Sequence, residues 1–345
     1  MGMFIPVLVS SALVLLPVAA MRTSAAQPFR MREHIEVPRV ILDVRVVDSR
    51  GDPILGLSAE DFRVLLDRHP ATLESVEWIS GTEPFAEGLT PKEAAAIGGP
   101  VAPAGRLIVY FFQADFASVR LNGLMGLKAR AIQLLDTLTP GDRVAVVSFD
   151  SHLKLRQDFT NDRKKLTRAT HDAILFGREP EVAPGPFPSL ARSWDRAAAE
   201  RAAEPETGLL VTAQALKALP GAKSLVFFGW GLGHLARPWV IMGHDYGAAR
   251  RALELARVSV FAIDVTDADY HDLEFGLQRV AADTGGFYAK TNLFPDQAIT
   301  RLEGAIAGRY VLVVVKPDLP HGDHEITVEL TRQRGRVLVK PSFAD

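Results

Sequence analysis

Three stretches of the chain carry residue types at spacings that could do chemistry. The first is the polar tip Gln113-Ala-Asp-Phe-Ala-Ser118, with an amide, a carboxylate and a hydroxyl close together. The second is Gly229-Trp-Gly-Leu-Gly-His234, which invites a dinucleotide reading. That signature requires a third glycine at 234, where His234 stands, and Pro238 follows closely, so the run reads as a glycine-rich turn. The third is the acidic run Asp264, Asp267, Asp269 and Asp272 with His271, which could attract a cation or a basic partner. It reads as an acidic turn leading into a helix N-terminus, where negative charge suits the dipole. His234 and His244 have no metal-site spacing and read as surface residues. Trp230 and Trp239 would anchor an interface if exposed and would be ordinary core if buried. No G-x-x-x-x-G-K-[ST], G-x-S-x-G or H-E-x-x-H occurs, and the chain has no cysteine for a thiolate site, thiol nucleophile or disulfide.

The elements that must position these residues follow from apolar patterning. Arg106-Leu-Ile-Val-Tyr-Phe-Phe112 is apolar without alternation and predicts a strand buried on both faces. Leu121, Leu124, Leu127, Ala131, Leu134, Leu135 and Leu138 recur at helical spacing until Pro140-Gly141-Asp142, and residues 143–149 form a second buried strand. The tip at 113–118 thus lies just beyond a strand's carboxyl end, where a doubly wound sheet places ligands. Residues 153–159 suit an edge strand, and 162–175 a helix. The loop 176–193 carries Pro180, Pro184, Pro186 and Pro188, and loops this long are often functional or mobile. Helices over 194–203, 207–219, 246–257, 273–284 and 298–307 alternate with strands over 224–228, 258–264 and 287–289. Alternation from 106 to 307 predicts an α/β fold, a doubly wound, mostly parallel sheet with helices on both faces. Short β segments flank it, at 40–47, 63–66 and 73–79 and again at 309–315, 324–330 and 336–339. They are expected to form a small β module by packing together.

Length permits one large and one smaller domain. The expected division is a signal peptide at 1–26, an N-terminal β module at 27–80, and a linker at 81–105 with a short helix over 91–97. An α/β domain at 106–307 and C-terminal strands at 308–345 complete it. Phe4 to Ala20 is an uncharged apolar run short for a bilayer span, and Ser24-Ala25-Ala26 offers small residues for cleavage. The segment before Phe4 lacks Lys and Arg, so an uncleaved anchor is the rival, and only then is a membrane a partner. Either way the folded part is expected outside the cytoplasm, secreted or periplasmic. With 39 basic against 41 acidic residues, a dedicated nucleic-acid binder is not expected, and Arg163-Lys-Lys165 with Arg168 reads as a solvated helix face.

Several phrases, in order and spacing, resemble the von Willebrand factor A-type domain in its bacterial secreted, VWFA-related group. They are Val44-Arg-Val-Val-Asp48 with Gly51, Gly56-Leu-Ser-Ala-Glu-Asp-Phe62, Leu138-Thr-Pro-Gly-Asp-Arg-Val144, Thr284-Gly-Gly286, and Gly308-Arg-Tyr-Val-Leu312 followed by His324. The resemblance implies an adhesion site for a divalent cation, built from Asp-x-Ser-x-Ser after the first strand, a Thr before a central helix and a later Asp. In register here stand Gln113, Asp115, Ala117, Thr207 and Trp230, with Gly229 beside the last. So few oxygen ligands compensate poorly for dehydrating Mg²⁺, so the site is expected to be degenerate, with no cofactor. Asp115 and Thr207 are its only remaining candidate ligands, and Asp115 is expected to cap the helix or hold backbone N–H groups. The expected function is a secreted or envelope-associated, non-enzymatic and metal-independent protein-interaction module. Its partner is a protein, bound through Gln113, Asp115, Thr207, Trp230, Trp239 and the 176–193 loop. The alternatives are a metal- or nucleotide-dependent enzyme of doubly wound fold and a purely structural envelope component.

Overall fold

The computed structural model describes residues 38–80, 105–236, 239–292 and 294–345, so the expected signal segment and nearly all of the expected linker lie outside them. The first described elements are β1 (Arg39–Val47), β2 (Phe62–Leu66), β3 (His69–Pro70), β4 (Thr72–Ile79) and β5 (Leu107–Gln113). Next come α1 (Ser118–Leu134), β6 (Arg143–Phe149), β7 (Leu153–Thr160), α2 (Arg163–Ile174), α3 (Arg196–Arg201), α4 (Pro205–Lys217) and β8 (Lys223–Gly229). A short hairpin, β9 (His234–Ala236) and β10 (Trp239–Ile241), precedes α5 (Tyr246–Leu255), β11 (Val258–Asp264) and α6 (Glu274–Asp283). The remaining elements are β12 (Tyr288–Lys290), α7 (Pro295–Ile306), β13 (Arg309–Val315), β14 (Asp323–Leu330), β15 (Arg336–Leu338) and β16 (Ser342–Ala344).

The central sheet has the order β12-β11-β8-β5-β6-β7, parallel except for the antiparallel edge strand β7. Every residue of β5 is buried, and alternate side chains enter different cores, as strand geometry requires. Leu107, Val109 and Phe111 meet α4, α5 and α6, whereas Ile108, Tyr110 and Phe112 meet α1, α2 and α7. This is the doubly wound α/β arrangement expected from the alternation.

Close approach between layers depends on small residues. A Cβ at Gly123 of α1 would lie 1.7 Å from the Val265 carbonyl oxygen that follows β11. Gly123→Ala is therefore expected to destabilise the fold by about 2–3 kcal/mol, outweighing alanine's roughly 1 kcal/mol helix preference. Thermal unfolding would measure it.

Both flanks of the α/β unit share two antiparallel sheets, β15-β1-β13-β4 and β16-β14-β2-β3. Their core holds Leu42, Val44, Phe62, Leu66, Tyr310, Leu312 and Ile326. The Tyr310 hydroxyl donates to Ile54 O at 2.8 Å and accepts from Leu57 N–H at 3.1 Å, which fastens the loop before the Ser58 turn. In that turn Asp61 accepts from Ser58 N–H at 2.9 Å, the Asp form of the capping box.

Candidate functional site

From β5 the chain runs to β6 on one side, and β8 later joins it on the other. The loops leaving β5 and β8 therefore diverge, and a crevice opens at the carboxyl edge. It is a cleft of about 520 Å³, lined among others by Gln113, Asp115, Phe116, Asp150, Ser151, Lys154, Phe176, Pro205 and Trp230.

Gln113, last residue of β5, is 1% exposed. Its Oε1 accepts from Trp230 N–H at 3.0 Å and Gly231 N–H at 3.2 Å, tying the β5 and β8 loops together. A Cβ at Gly229 would stand 2.6 Å from that oxygen, so glycine there is what lets the amide approach. Gln113 Nε2 is buried without an acceptor. Asp115 accepts from Ala117 N–H at 2.8 Å, just before α1, and its other oxygen pairs with Arg120. Partial burial pushes its carboxyl up, but the Ala117 N–H and Arg120 outweigh this and hold it below the usual range. The Arg120 guanidinium lies over the Trp230 ring at 3.4 Å from the centroid. On the opposite wall Lys154 Nζ donates to both oxygens of Asp150 at 2.6 Å, and Arg156 Nη2 stands 3.9 Å from Asp150 Oδ2. Burial likewise pushes Asp150 up, and Lys154 and Ser151 bring it below its ordinary value. Phe116, 77% exposed, stacks on Phe176 with centroids 3.8 Å apart and planes 12° apart.

A divalent cation needs converging oxygens with charge to spare. Here both lining carboxylates are engaged by cations of the chain itself, the Gln113 oxygen is engaged by backbone N–H groups, and the orphan atom beside it is a donor. These residues do not fit a bound Mg²⁺.

Of the residues expected at the site, Gln113, Asp115 and Trp230 share the cleft, whereas Thr207 and Trp239 are not among its lining residues. Thr207 Oγ1 donates to Asp245 Oδ2 at 2.7 Å, joining the starts of α4 and α5, and the cleft wall nearby is Ala203 and Pro205. Trp239 is 74% exposed on the β9–β10 hairpin, with Leu235 and Ile241 also exposed. Buried Glu206 holds this hairpin's base through Gly233 N–H at 2.6 Å. From the loop after α2, Phe176 reaches the cleft, and residues 185–191 are fastened instead to Asp158 of β7.

Two clusters were not read as sites from sequence. Asp267, Asp269 and Asp272 are exposed as the acidic-turn reading expects, but Asp264 is fully buried. Its Oδ2 meets His271 Nε2 at 2.8 Å and accepts from the Tyr288 hydroxyl at 2.7 Å, while Oδ1 accepts from Thr266. Glu274 beside them pairs with Lys290 at 2.5 Å, so the basic partner of this acidic corner is the chain itself. Burial, then Asp264 and Glu274, push the Tyr288 phenol up. In the β6–β7 turn, Ser151 Oγ lies 3.0 Å from His152 Nδ1, and His152 Nε2 lies 3.3 Å from Glu179. Ser151 also donates to Asp150 at 2.9 Å, and that carboxylate would oppose the negative charge of an acyl-transfer intermediate. The arrangement is a turn network and makes a poor nucleophile.

No family model and no curated protein matches the chain. Solved structures to which it is similar include the von Willebrand factor type A protein from Catenulispora acidiphila, at 9% identity and a TM-score of 0.41, over 89% of this chain and 72% of that one. The vWF domain of the type V pili tip protein Mfa5 from Porphyromonas gingivalis is another, at 13% identity and 0.37, over 60% and 96%. The human COPII-coat protein Sec24c is a third, at 13% identity and 0.41, over 70% of this chain and 43% of that one. The chain thus spans less than half the length of Sec24c and 60% of that of the PilB minor pilin from Streptococcus sanguinis, a further similar structure at 12% identity and 0.36, over 59% of this chain. Two of these four carry the von Willebrand factor name of the family that the sequence phrases resemble.

Proposed function

We propose that the chain is a secreted or envelope-associated module that binds another protein, catalyses nothing, and needs no metal ion to bind. The cleft at the carboxyl edge of the sheet supports this best. Its carboxylates are neutralised from within, and its rim presents an exposed aromatic, Phe116, already stacked and so presented with little entropy left to lose. The exposed Trp239 hairpin adds a second anchor on the loops following β8. Among the described residues no helix is long and apolar enough to cross a membrane.

Capture of a partner from the envelope fraction, with and without EDTA, tests the reading. Phe116→Ala with Trp239→Ala is expected to weaken capture at least about tenfold, since aromatic anchors commonly carry 2 kcal/mol or more. EDTA is expected to change nothing. Both side chains are exposed, so the fold should tolerate their loss. Undiminished capture by the double variant would defeat the proposal.

A further inference from the structure

Away from the cleft, at the carboxyl end of β11, an imidazole and two carboxylates converge. One donor atom each from Asp264, His271 and Glu274 lie within 4.8 Å of one another. Asp264 ends β11, and the other two stand in the turn that opens α6, where Glu274 N–H donates to His271 O at 3.2 Å. The two carboxylates are arranged alike. Asp264 Oδ1 accepts from the Thr266 N–H and hydroxyl at 3.0 and 2.8 Å, and Glu274 Oε1 accepts from Gln278 Nε2 at 3.1 Å. Each is thus anchored through one oxygen by a residue outside the trio, and the other oxygen faces the shared space. His271 Nε2 lies 2.8 Å from Asp264 Oδ2, and the Tyr288 hydroxyl reaches Oδ2 at 2.7 Å and Glu274 Oε2 at 3.5 Å. Outer partners that fix ligating side chains in this way are what a metal site needs beyond its ligands. Charge adds to the argument. Asp264 and Glu274 are both buried, and the cation between them and solvent is Lys290, whose Nζ stands 2.5 Å from Glu274 Oε2. Lys290 is a movable occupant, since its side chain is 25% exposed and also donates to Asp269 O. Exposed Asp267, Asp269 and Asp272 on the same loop make the approach favourable for a cation.

We propose that Asp264, His271 and Glu274 bind a zinc ion, which displaces the Lys290 ammonium. One imidazole nitrogen and two carboxylate oxygens, with a fourth place for water, make a tetrahedral Zn²⁺ set, whereas Mg²⁺ is held by oxygen. Zinc–donor bonds of about 2.0–2.2 Å place tetrahedral donors roughly 3.4 Å apart, so side-chain adjustments of about an ångström close the trio. The proton that His271 Nε2 shares with Asp264 leaves, and the ring binds as the neutral imidazole with its proton on Nδ1. Lys290 gives up Glu274 and keeps the Asp269 carbonyl. Ion and ammonium are therefore alternative occupants of one corner, and each ties β11, α6 and β12 together. With Lys290 in place the corner holds without the ion, so partner capture in EDTA does not depend on it.

The test is a titration of the metal-stripped full chain with Zn²⁺ against a chromophoric chelator, and with Co²⁺ followed by its visible absorption. One tightly held ion per chain is expected, with Co²⁺ showing the strong bands of a four-coordinate site. His271→Ala is expected to weaken binding at least about a hundredfold, more than the loss of an outer partner costs. Lys290→Met removes the competing ammonium and is expected to tighten binding about tenfold. Zinc should raise the unfolding temperature of the wild type and of Lys290→Met, and leave that of His271→Ala unchanged. In the ¹⁵N-labelled wild type, zinc should shift the His271 Nε2 resonance, which locates the ion without any substitution and decides the matter even if His271→Ala does not fold. Wild-type affinity in His271→Ala would assign the ion to exposed histidines such as His234 and His244 and would overturn the proposal. So would unchanged or weaker affinity in Lys290→Met, an unmoved His271 resonance, or a wild type that binds neither metal.

Discussion

Asp158→Ala is expected to cost about 3–4 kcal/mol of stability while leaving the residues of the cleft in place. The carboxylate is 5% exposed on the edge strand β7, and it gathers the loop between α2 and α3. Oδ2 accepts from Gly185 N–H at 3.2 Å and Ser189 Oγ at 2.6 Å. Oδ1 accepts from Leu190 N–H at 2.6 Å, Ala191 N–H at 3.3 Å and Phe159 N–H at 2.8 Å. Each buried donor left unpaired costs about 1–3 kcal/mol, and water entering the space left by the side chain recovers part of the sum. In a domain of this size such a loss lowers the unfolding temperature by roughly 6–12 °C. Asp158→Asn retains one acceptor oxygen and should recover about half of the loss. Circular dichroism against temperature and urea for the two variants would measure both. A fall of less than about 1 kcal/mol for alanine would mean that the loop is held by its apolar contacts, Leu190 above all, rather than by the carboxylate.

That anchor was out of reach of the sequence. Asp158 sits in a charged run that suits an edge strand, and its partners lie 27–33 residues on, inside a proline-rich loop with no periodicity of its own. The frame was legible because burial on both faces leaves a plain signature: residues 143–149 and 258–264 are mostly apolar without strict alternation, and they are strands with those same bounds. Helix α1 ends at Leu134, so Leu135 and Leu138 continue the apolar pattern through a tighter turn and beyond it, a change of geometry that spacing alone does not register. Strands of two or three residues, β3, β9, β10 and β16, carry too few side chains to alternate, and the exposed Trp239 hairpin went unread for that reason. At the site, strand register alone placed Gln113 and Asp115 at the sheet edge. Their partners were hidden, since Gln113 spends its oxygen on backbone N–H groups 117 residues away and such groups carry no sequence signal. Thr207 shows the converse. Its position near the start of a central helix fitted the resemblance, but it lies in the first turn of α4 and its hydroxyl donates to Asp245.

Asp43→Ala should be the most damaging substitution outside the hydrophobic cores, at about 3–5 kcal/mol, because it strips a carboxylate from between two arginines. Arg257, at the entry to β11, donates to it at 2.8 and 3.0 Å, and Arg309 of β13 donates at 2.7 Å. Arg45, buried nearby, has its guanidinium pushed down to about 10, by burial first and then by Arg309, with Asp43 opposing. Removing Asp43 therefore concentrates positive charge where β1 and β13 meet the α/β unit. The same geometry fixes an acid response. Burial pushes the Asp43 carboxyl up, but Arg257 and Arg309 outweigh it and hold the group well below the usual carboxylate range. A group depressed in the folded state contributes stability that is whole above its unfolded value, near 3.9, and is lost as pH falls through the folded value. Wild-type stability should thus decline as pH drops below about 4, and the decline should be shallower in Asp43→Asn, which has no proton to take up at this site. Urea midpoints between pH 2 and 6 for the two proteins would show this. Parallel curves would mean that other carboxylates govern acid unfolding, and that the clamp between the antiparallel sheets and the α/β unit does not depend on the charge of Asp43.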